Sequence, residues 1–183
     1  MSVNVDGKLK LTYEEYRHFP DDGKRHELID GEHYVAPAPG TNHQSLSRHI
    51  QFQLYDQLER AGRAEVYNAP TDVELSRVDI VQPDLAVVAS EREHIVSPSR
   101  IIGPPDLVVE ILSPSTGDRD RELKRRLYEL RAVPRYWIVD PEAQTVTAYE
   151  LEEGRYREAG SFHDEVRLDH GSLHARVDLT KVW

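Results

Sequence analysis

The sequence predicts an α/β or α+β fold in which helices pack on a β-sheet. Three observations support this class. Short apolar runs of the kind found in buried strands recur between residues 64 and 140. Two other segments carry apolar residues at helical spacing and are long enough to pack on a sheet. Helical and strand-like segments are also interspersed along the chain. Because the chain has 183 residues, we expect residues 1–183 to form one domain with its own core.

The N-terminal part predicts a short helix followed by a hairpin. Residues 12–15 (TYEE) match a capping box, so we expect a helix from Tyr13 to His18 that stops at the following proline. Residues 26–29 and 32–35 flank an Asp-Gly pair. This pair is typical of a two-residue hairpin turn, because both of its positions need a positive φ.

A long helix is predicted next. Residues 41–44 (TNHQ) form a second capping-box pattern, with Thr41 as the cap. Apolar residues then recur at every fourth position, at Leu46, Ile50, Leu54 and Leu58. This spacing predicts a helix with one buried face that ends near Gly62.

The rest of the chain alternates between strands and one further helix. Strand-like segments cover residues 64–68, 72–75, 85–88, 107–112 and 135–140. A helix is predicted from Asp118 to Arg131, with a row of leucines facing the core. After residue 145, short strand-like pieces alternate with polar turns.

Charge limits the classes of function. The chain has 23 Lys and Arg against 33 Asp and Glu, a net charge of −10, which opposes tight nonspecific binding of a phosphate backbone. A basic stripe is nevertheless present at Arg119, Arg121, Lys124, Arg125, Arg126 and Arg131. Because acidic residues are interleaved with it, this stripe is either a solvated helix face or a binding surface.

Other features bear on location. The chain has no cysteine, which excludes disulfides and thiolate sites and suits a reducing cytoplasm. No run approaches the roughly 20 apolar residues that cross a bilayer. Residues 1–7 lack the basic start and apolar stretch of a signal peptide. We therefore expect a cytoplasmic protein without a membrane segment.

Two acidic residues at the edges of apolar runs mark a candidate site. Asp84 begins the run that continues to residue 88, and Glu110 lies near the end of the run 105–112. A carboxylate at the end of a buried strand is costly without a partner, so two of them on neighbouring strands invite a hard cation. Mg²⁺, or Mn²⁺ in its place, prefers such oxygen ligands. The backbone carbonyl of Ile111 offers a third protein oxygen.

Lys124, on the helix that follows, would complete a set able to hydrolyse a phosphodiester. It would orient or help deprotonate the attacking water and stabilise the transition state. Each residue also has a structural interpretation. In this interpretation, Asp84 would be a turn residue after Pro83 and Glu110 would be an edge-strand carboxylate paired with an arginine. Lys124 would be a solvated lysine on a helix.

Several motifs together resemble the Uma2 family of the PD-(D/E)XK nuclease superfamily. They are residues 27–32 (ELIDGE), 83–88 (PDLAVV), 103–116 (GPPDLVVEILSPST), Lys124 with Tyr128, and 136–141 (YWIVDP). The resemblance implies a restriction-endonuclease-like core, with a mixed central β-sheet flanked by helices. It also implies that Asp84 and Glu110 bind a divalent metal for the cleavage of DNA.

One departure from the superfamily pattern concerns the lysine. Its usual position, two residues after the second acid, is Leu112 here. The resemblance therefore points to Lys124 on the following helix as the replacement.

The resemblance also suggests Glu27 as a further acid near the metal. The alternative is a hairpin carboxylate paired with Arg25 or another base. His43 is a candidate phosphate contact or proton carrier, or else a solvated residue at a helix start. Gln82 and Arg121 are candidate substrate contacts. Gln82 lies two residues before Asp84 and would share its face if both were in a strand.

Three functions stay open. The first is a Mg²⁺-dependent endonuclease acting on DNA, as a homodimer. The second is a nucleic-acid-binding or interaction module that keeps the fold without useful catalysis, which the negative charge favours. The third is a metal-dependent hydrolase of smaller phosphate esters.

Overall fold

A computed structural model of the chain describes residues 2–3, 9–113 and 117–183. Residues 114–116, which belong to the longest family motif and to the predicted end of the Glu110 strand, lie outside the described residues. So do residue 1 and residues 4–8, which include most of the segment considered as a signal peptide.

The described residues contain three α-helices and fifteen strands. The helices are α1 (Tyr13–Tyr16), α2 (Thr41–Leu54) and α3 (Gly117–Leu130). The strands up to the second helix are β1 (Ser2–Val3), β2 (Leu9–Lys10), β3 (Arg25–Ile29) and β4 (Glu32–Ala36). Those between the second and third helices are β5 (Ala64–Asn68), β6 (Val73–Ser76), β7 (Asp79–Val81), β8 (Leu85–Ala89), β9 (Ile101–Ile102) and β10 (Leu107–Ile111). The last five are β11 (Arg135–Asp140), β12 (Thr145–Glu152), β13 (Arg155–Phe162), β14 (Glu165–His170) and β15 (Leu173–Asp178).

The central sheet has six strands in the order β13-β12-β11-β10-β8-β5. All neighbouring strands are antiparallel except β10 and β11, which run parallel because α3 connects them. The sheet is therefore mixed, as predicted. A second sheet has the order β4-β3-β7-β6-β9, and β14 pairs with β15 as a separate antiparallel ribbon.

Both faces of the central sheet are covered. On one face Leu85 and Val87 pack in a cluster with the leucines of α2 and with the β14–β15 ribbon. On the other face Ala86 and Val88 pack with α3 and the second sheet. Because side chains alternate along a strand, a strand buried on both faces is apolar at every position, as β8 is.

The hairpin β3–β4 forms as predicted, with Asp30 at φ 52° and Gly31 at φ 75° in its turn. Trp137 of β11 lies in the core, since only 1% of this residue is exposed.

Several local predictions were wrong. The first helix is shorter than expected and ends at Tyr16, although Thr12 and Glu15 form the predicted capping box. The second helix is capped by Gly40, and no side chain caps it, so the pattern at Thr41 is not a capping box. After Leu54 this helix continues as a π-helical turn.

Strand β7 is an element that the sequence pattern did not predict. It is only three residues long and begins with a charged residue, Asp79. Asp79 is fully buried and accepts hydrogen bonds from the Asp30 amide at 2.7 Å and the Ser76 hydroxyl at 2.6 Å. It also pairs with Arg131, just beyond the end of α3. This residue therefore attaches the hairpin turn to the third helix.

Within the described residues, no helix has the length and apolar character needed to span a membrane.

We predict that Asp79→Ala lowers the free energy of unfolding by about 3 kcal/mol, because it leaves the Arg131 guanidinium and a backbone amide without their partner. Urea denaturation followed by circular dichroism measures the change. Arg60→Ala is the control. It removes an exposed ion pair with Asp56 and should change stability by less than about 0.5 kcal/mol. Equal losses in the two variants would contradict the structural role of Asp79.

Candidate active site

A cleft of about 700 Å³ opens at one end of the central sheet. Strand β8 runs antiparallel to β10, so the start of the first and the end of the second lie at the same edge. Asp84 immediately precedes β8, and Glu110 is the penultimate residue of β10. The strand order thus brings both acids into the cleft lining, together with Lys124 from α3.

Asp84 is almost completely buried, with 2% exposure. Its Oδ1 accepts a hydrogen bond from Arg25 Nη1 at 2.6 Å. Its Oδ2 lies 3.1 Å from His43 Nε2 and accepts the Ile111 backbone amide at 2.8 Å. Burial alone would raise the pKa of Asp84. The His43 hydrogen bond and the charges of Arg25 and His43 outweigh burial and hold the pKa below its ordinary value.

Glu110 faces the opposite side of the sheet from its neighbours Val109 and Ile111, towards α3. Its Oε1 accepts hydrogen bonds from Lys124 Nζ at 2.9 Å and from the Tyr128 hydroxyl at 2.6 Å. Burial raises the pKa of Glu110, while Lys124 acts in the opposite direction. Tyr128 stays a donor, because burial raises its pKa well above the ordinary value.

Lys124 connects two acids. Its Nζ also donates to Glu27 Oε1 at 2.9 Å, and the same Glu27 oxygen accepts the Gln82 backbone amide at 2.8 Å. Burial would lower the pKa of Lys124, but the charges of Glu110 and Glu27 outweigh it and raise the pKa above its ordinary value. The ammonium group is therefore protonated. It lies between β3 of the second sheet and β10 of the central sheet.

His43 lies in the first turn of α2 with its side chain 13% exposed. One ring nitrogen contacts Asp84. The other, Nδ1, is buried and has no hydrogen-bond partner among the described residues. Because buried polar atoms are nearly always paired, this nitrogen is a candidate contact for a substrate or a bound water.

The residues present fit a divalent metal. Mg²⁺ is commonly held by one or two carboxylates together with waters and substrate oxygens. Asp84 and Glu110 would supply the carboxylates. The N–H of Ile111 donates to Asp84. Because the N–H and C=O of one strand residue point to the same side, the Ile111 carbonyl points to the side of β10 that adjoins β8. The described residues contain no group of three or more acidic or histidine side chains arranged as a complete metal cage.

The structure places most of the predicted site residues together. Asp84, Glu110, Lys124, Glu27, His43, Ile111 and Arg121 all line the cleft. Leu112 lines the same cleft as Lys124. Gln82 is the exception.

Gln82 does not share a strand face with Asp84, because residues 82–84 are not in a strand. Its side chain instead donates to Asp72 Oδ1 at 2.8 Å and lines a second cavity. The prediction that placed it beside Asp84 was wrong.

Sequence reasoning missed Arg25 and Tyr128 as site residues. Arg25 was considered only as a partner of Glu27, yet it binds Asp84. The available signal was the period of two on β3, which places Arg25 and Glu27 on one side of the strand. For Tyr128 it was the spacing of four from Lys124, which places both on one side of α3.

Comparisons with known proteins agree with this architecture. The Uma2 family model, described as "Putative restriction endonuclease", matches residues 13–180. The uncharacterized protein slr1290 of Synechocystis sp. is 31% identical over 121 residues. That match covers 65% of this chain and 62% of the length of the Synechocystis protein.

A solved structure shows the same fold. It is the crystal structure of "a putative nuclease belonging to DUF820" from Anabaena variabilis, which matches with a TM-score of 0.74 and 19% identity. The match covers 94% of this chain and 97% of the other. The predicted fold class is thereby confirmed.

We predict strong coupling between Glu110 and Lys124. Lys124→Met should lower stability by about 3–5 kcal/mol, because it leaves buried carboxylates without a cation. The double variant with Glu110→Gln should lose less than the sum of the two single variants, with a coupling of about 1–3 kcal/mol. Urea unfolding in EDTA measures the free energy of unfolding of the wild type, the two single variants and the double variant.

The matched control for this cycle is Glu122→Gln with Arg126→Met, an exposed pair on the same helix. Its coupling should stay below about 0.5 kcal/mol. Additive losses at Glu110 and Lys124 would contradict the shared buried ion pair.

Proposed function

Because the chain belongs to the Uma2 family, we propose that it is a Mg²⁺- or Mn²⁺-dependent endonuclease that hydrolyses DNA phosphodiester bonds. One observation carries the proposal. Two carboxylates at the ends of adjacent strands and a lysine from the next helix converge in a single cleft.

A divalent metal held by Asp84, Glu110 and the Ile111 carbonyl would supply Lewis-acid stabilisation and a water of lowered pKa. In the proposed reaction, water attacks phosphorus and one ester P–O bond breaks. The products are a phosphate monoester and a hydroxyl group.

Lys124 acts in this scheme as a donor. The charges of Glu110 and Glu27 raise its pKa, so without metal the ammonium keeps its proton and acts as a hydrogen-bond donor. It orients the attacking water and stabilises the negative charge that develops on the phosphate oxygens. Glu27 holds the ammonium in place through the 2.9 Å contact between its Oε1 and Lys124 Nζ.

The cleft lining carries both signs of charge on a chain with a net charge of −10. Arg25, Arg121 and Lys124 line it together with five acidic residues, Glu27, Asp84, Glu110, Asp140 and Glu142. A divalent metal held by the acids would add positive charge, which attracts a phosphate backbone even on an acidic protein. We propose that Arg25 exchanges its bond to Asp84 for a substrate phosphate oxygen.

A second candidate function is a nucleic-acid-binding module without turnover. The observation that favours it is the engagement of Asp84, both of whose oxygens already have hydrogen-bond donors inside the protein. Metal binding separates the two candidates. Titration calorimetry with Mn²⁺ should show a site that Asp84→Asn removes, and its absence would select the binding module.

We predict that Asp84→Asn, Glu110→Gln and Lys124→Met each reduce DNA cleavage by about 10²–10³-fold, because each removes a group that acts on the transition state. Purified protein is incubated with linear, circular and single-stranded DNA in Mg²⁺ or Mn²⁺, and EDTA should abolish cleavage.

Glu122→Gln and Arg126→Met on the exposed side of α3 are the matched controls and should cleave like the wild type. Equal cleavage by Asp84→Asn and the wild type would reveal a contaminating nuclease and overturn the proposal. Activity on nucleotides but not on polymers would select a hydrolase of smaller phosphate esters.

We also predict a homodimer, because one cleft can act on one strand at a time and a paired copy would reach the second strand. Light scattering should give twice the chain mass of 21.1 kDa. A monomer mass that does not change with protein concentration would contradict this expectation.

A further inference from the structure

A second cavity, of about 510 Å³, adjoins the cleft. Arg25, Ala38 and Pro39 line both spaces, so these residues form the boundary between the cleft and the second cavity. None of the chemistry described above uses it. Its volume lies in the range of about 300–1,000 Å³ that is usual for small-ligand sites.

One wall of this cavity is aromatic. It is formed by Tyr13, Tyr16 and Phe19, with ring centroids 6.1 Å apart for the first pair and 5.4 Å apart for the second. Tyr13 and Phe19 are partly exposed and line the cavity. Arg100 lies over one face of Tyr13, 3.9 Å from the ring centroid, and Phe19 packs on His33 with centroids 4.3 Å apart, so only the remaining ring surface is open to a ligand. Partly exposed aromatic rings of this kind are the surfaces on which proteins stack unpaired nucleobases.

The floor of the cavity is polar and ordered. The Tyr16 hydroxyl lies 2.7 Å from Asp72 Oδ1, and the Gln82 amide nitrogen donates to the same oxygen at 2.8 Å. Among the described residues, neither Gln82 Oε1 nor Asp72 Oδ2 forms a side-chain hydrogen bond. An amide oxygen and a carboxylate oxygen held in this way can accept hydrogen bonds from the amino and imino groups of a base edge.

The rim of the cavity is mainly basic. Arg17 and Lys24 lie on it and are exposed, and Arg25 separates it from the cleft. Among the described residues, Arg17 pairs with Glu14 and Lys24 pairs with Asp22, which are acids on their own segment. Such pairs contribute little stability and are readily exchanged for a phosphate.

We propose that this cavity is a nucleotide subsite, which holds an unstacked base of the strand whose phosphate lies in the cleft. The proposal rests on the function proposed above. Phe19 and Tyr13 stack on the base, Gln82 reads its edge, and Arg25 binds the intervening phosphate. Gln82 is thus a specificity residue rather than a neighbour of the metal.

The test uses a short single-stranded oligonucleotide that carries one 2-aminopurine, bound to the full chain in EDTA so that no cleavage occurs. Stacking in the cavity should change the 2-aminopurine fluorescence. Phe19→Leu keeps the apolar volume but removes the ring, and should weaken binding by about 5- to 100-fold. Gln82→Met should change the ranking of oligonucleotides that differ only in that base.

Two controls isolate the subsite. Phe52→Leu changes an exposed aromatic residue on α2, outside the cavity, and should bind like the wild type. An oligonucleotide with an abasic site in place of 2-aminopurine should bind the wild type more weakly, and Phe19→Leu should then cause no further loss. Circular dichroism checks the fold. If Phe19→Leu does not fold, the ranking of oligonucleotides by Gln82→Met tests the subsite instead.

The outcomes separate the two proposals. Equal affinity of the wild type for abasic and intact oligonucleotides, or an unchanged base ranking in Gln82→Met, would overturn the subsite whatever the cleavage assay shows. A fluorescence change that Phe19→Leu removes, in a protein that cleaves no DNA in Mn²⁺, would support the subsite and contradict the endonuclease.

Discussion

The rest of the site depends on the contact of the Lys124 ammonium group with Glu27 and Glu110. This group lies 2.9 Å from one oxygen of Glu27 and 2.9 Å from one oxygen of Glu110, so it joins β3, β10 and α3 at one point. A buried carboxylate without a cation is costly, and this lysine serves two of them. Beside the apolar packing of α3, this contact attaches the helix to both sheets and holds Glu27 and Glu110 close together.

The acid pair could be predicted because local sequence determines where a buried strand begins and ends. Asp84 and Glu110 stand at the boundaries of apolar runs, and adjacent strands bring such boundaries to one edge. Lys124 required the family resemblance as well. A helical pattern places a lysine on one face of a helix, but it does not show which acids that face meets.

The remaining details depend on contacts between distant segments. Arg25 reaches Asp84 across 59 positions of sequence, and no local pattern distinguishes it from a partner of Glu27. Gln82 could not be placed because Pro83 and a bend at Asp84 interrupt the strand period. Strand β7 was not predicted because it begins with a charged residue, Asp79. This residue is buried only because it pairs with Arg131, which lies 52 residues away in the sequence.

The bond from the Ile111 amide to Asp84 has a mechanical consequence. It adds one rung to the pairing of β8 with β10 beyond the last backbone pair, Val109 with Leu85. Asp84 is thereby attached to the residue that directly follows Glu110. If the end of β10 shifts, Asp84 and Glu110 therefore move together. The distance between the two acids then does not depend on movements of the surrounding loops.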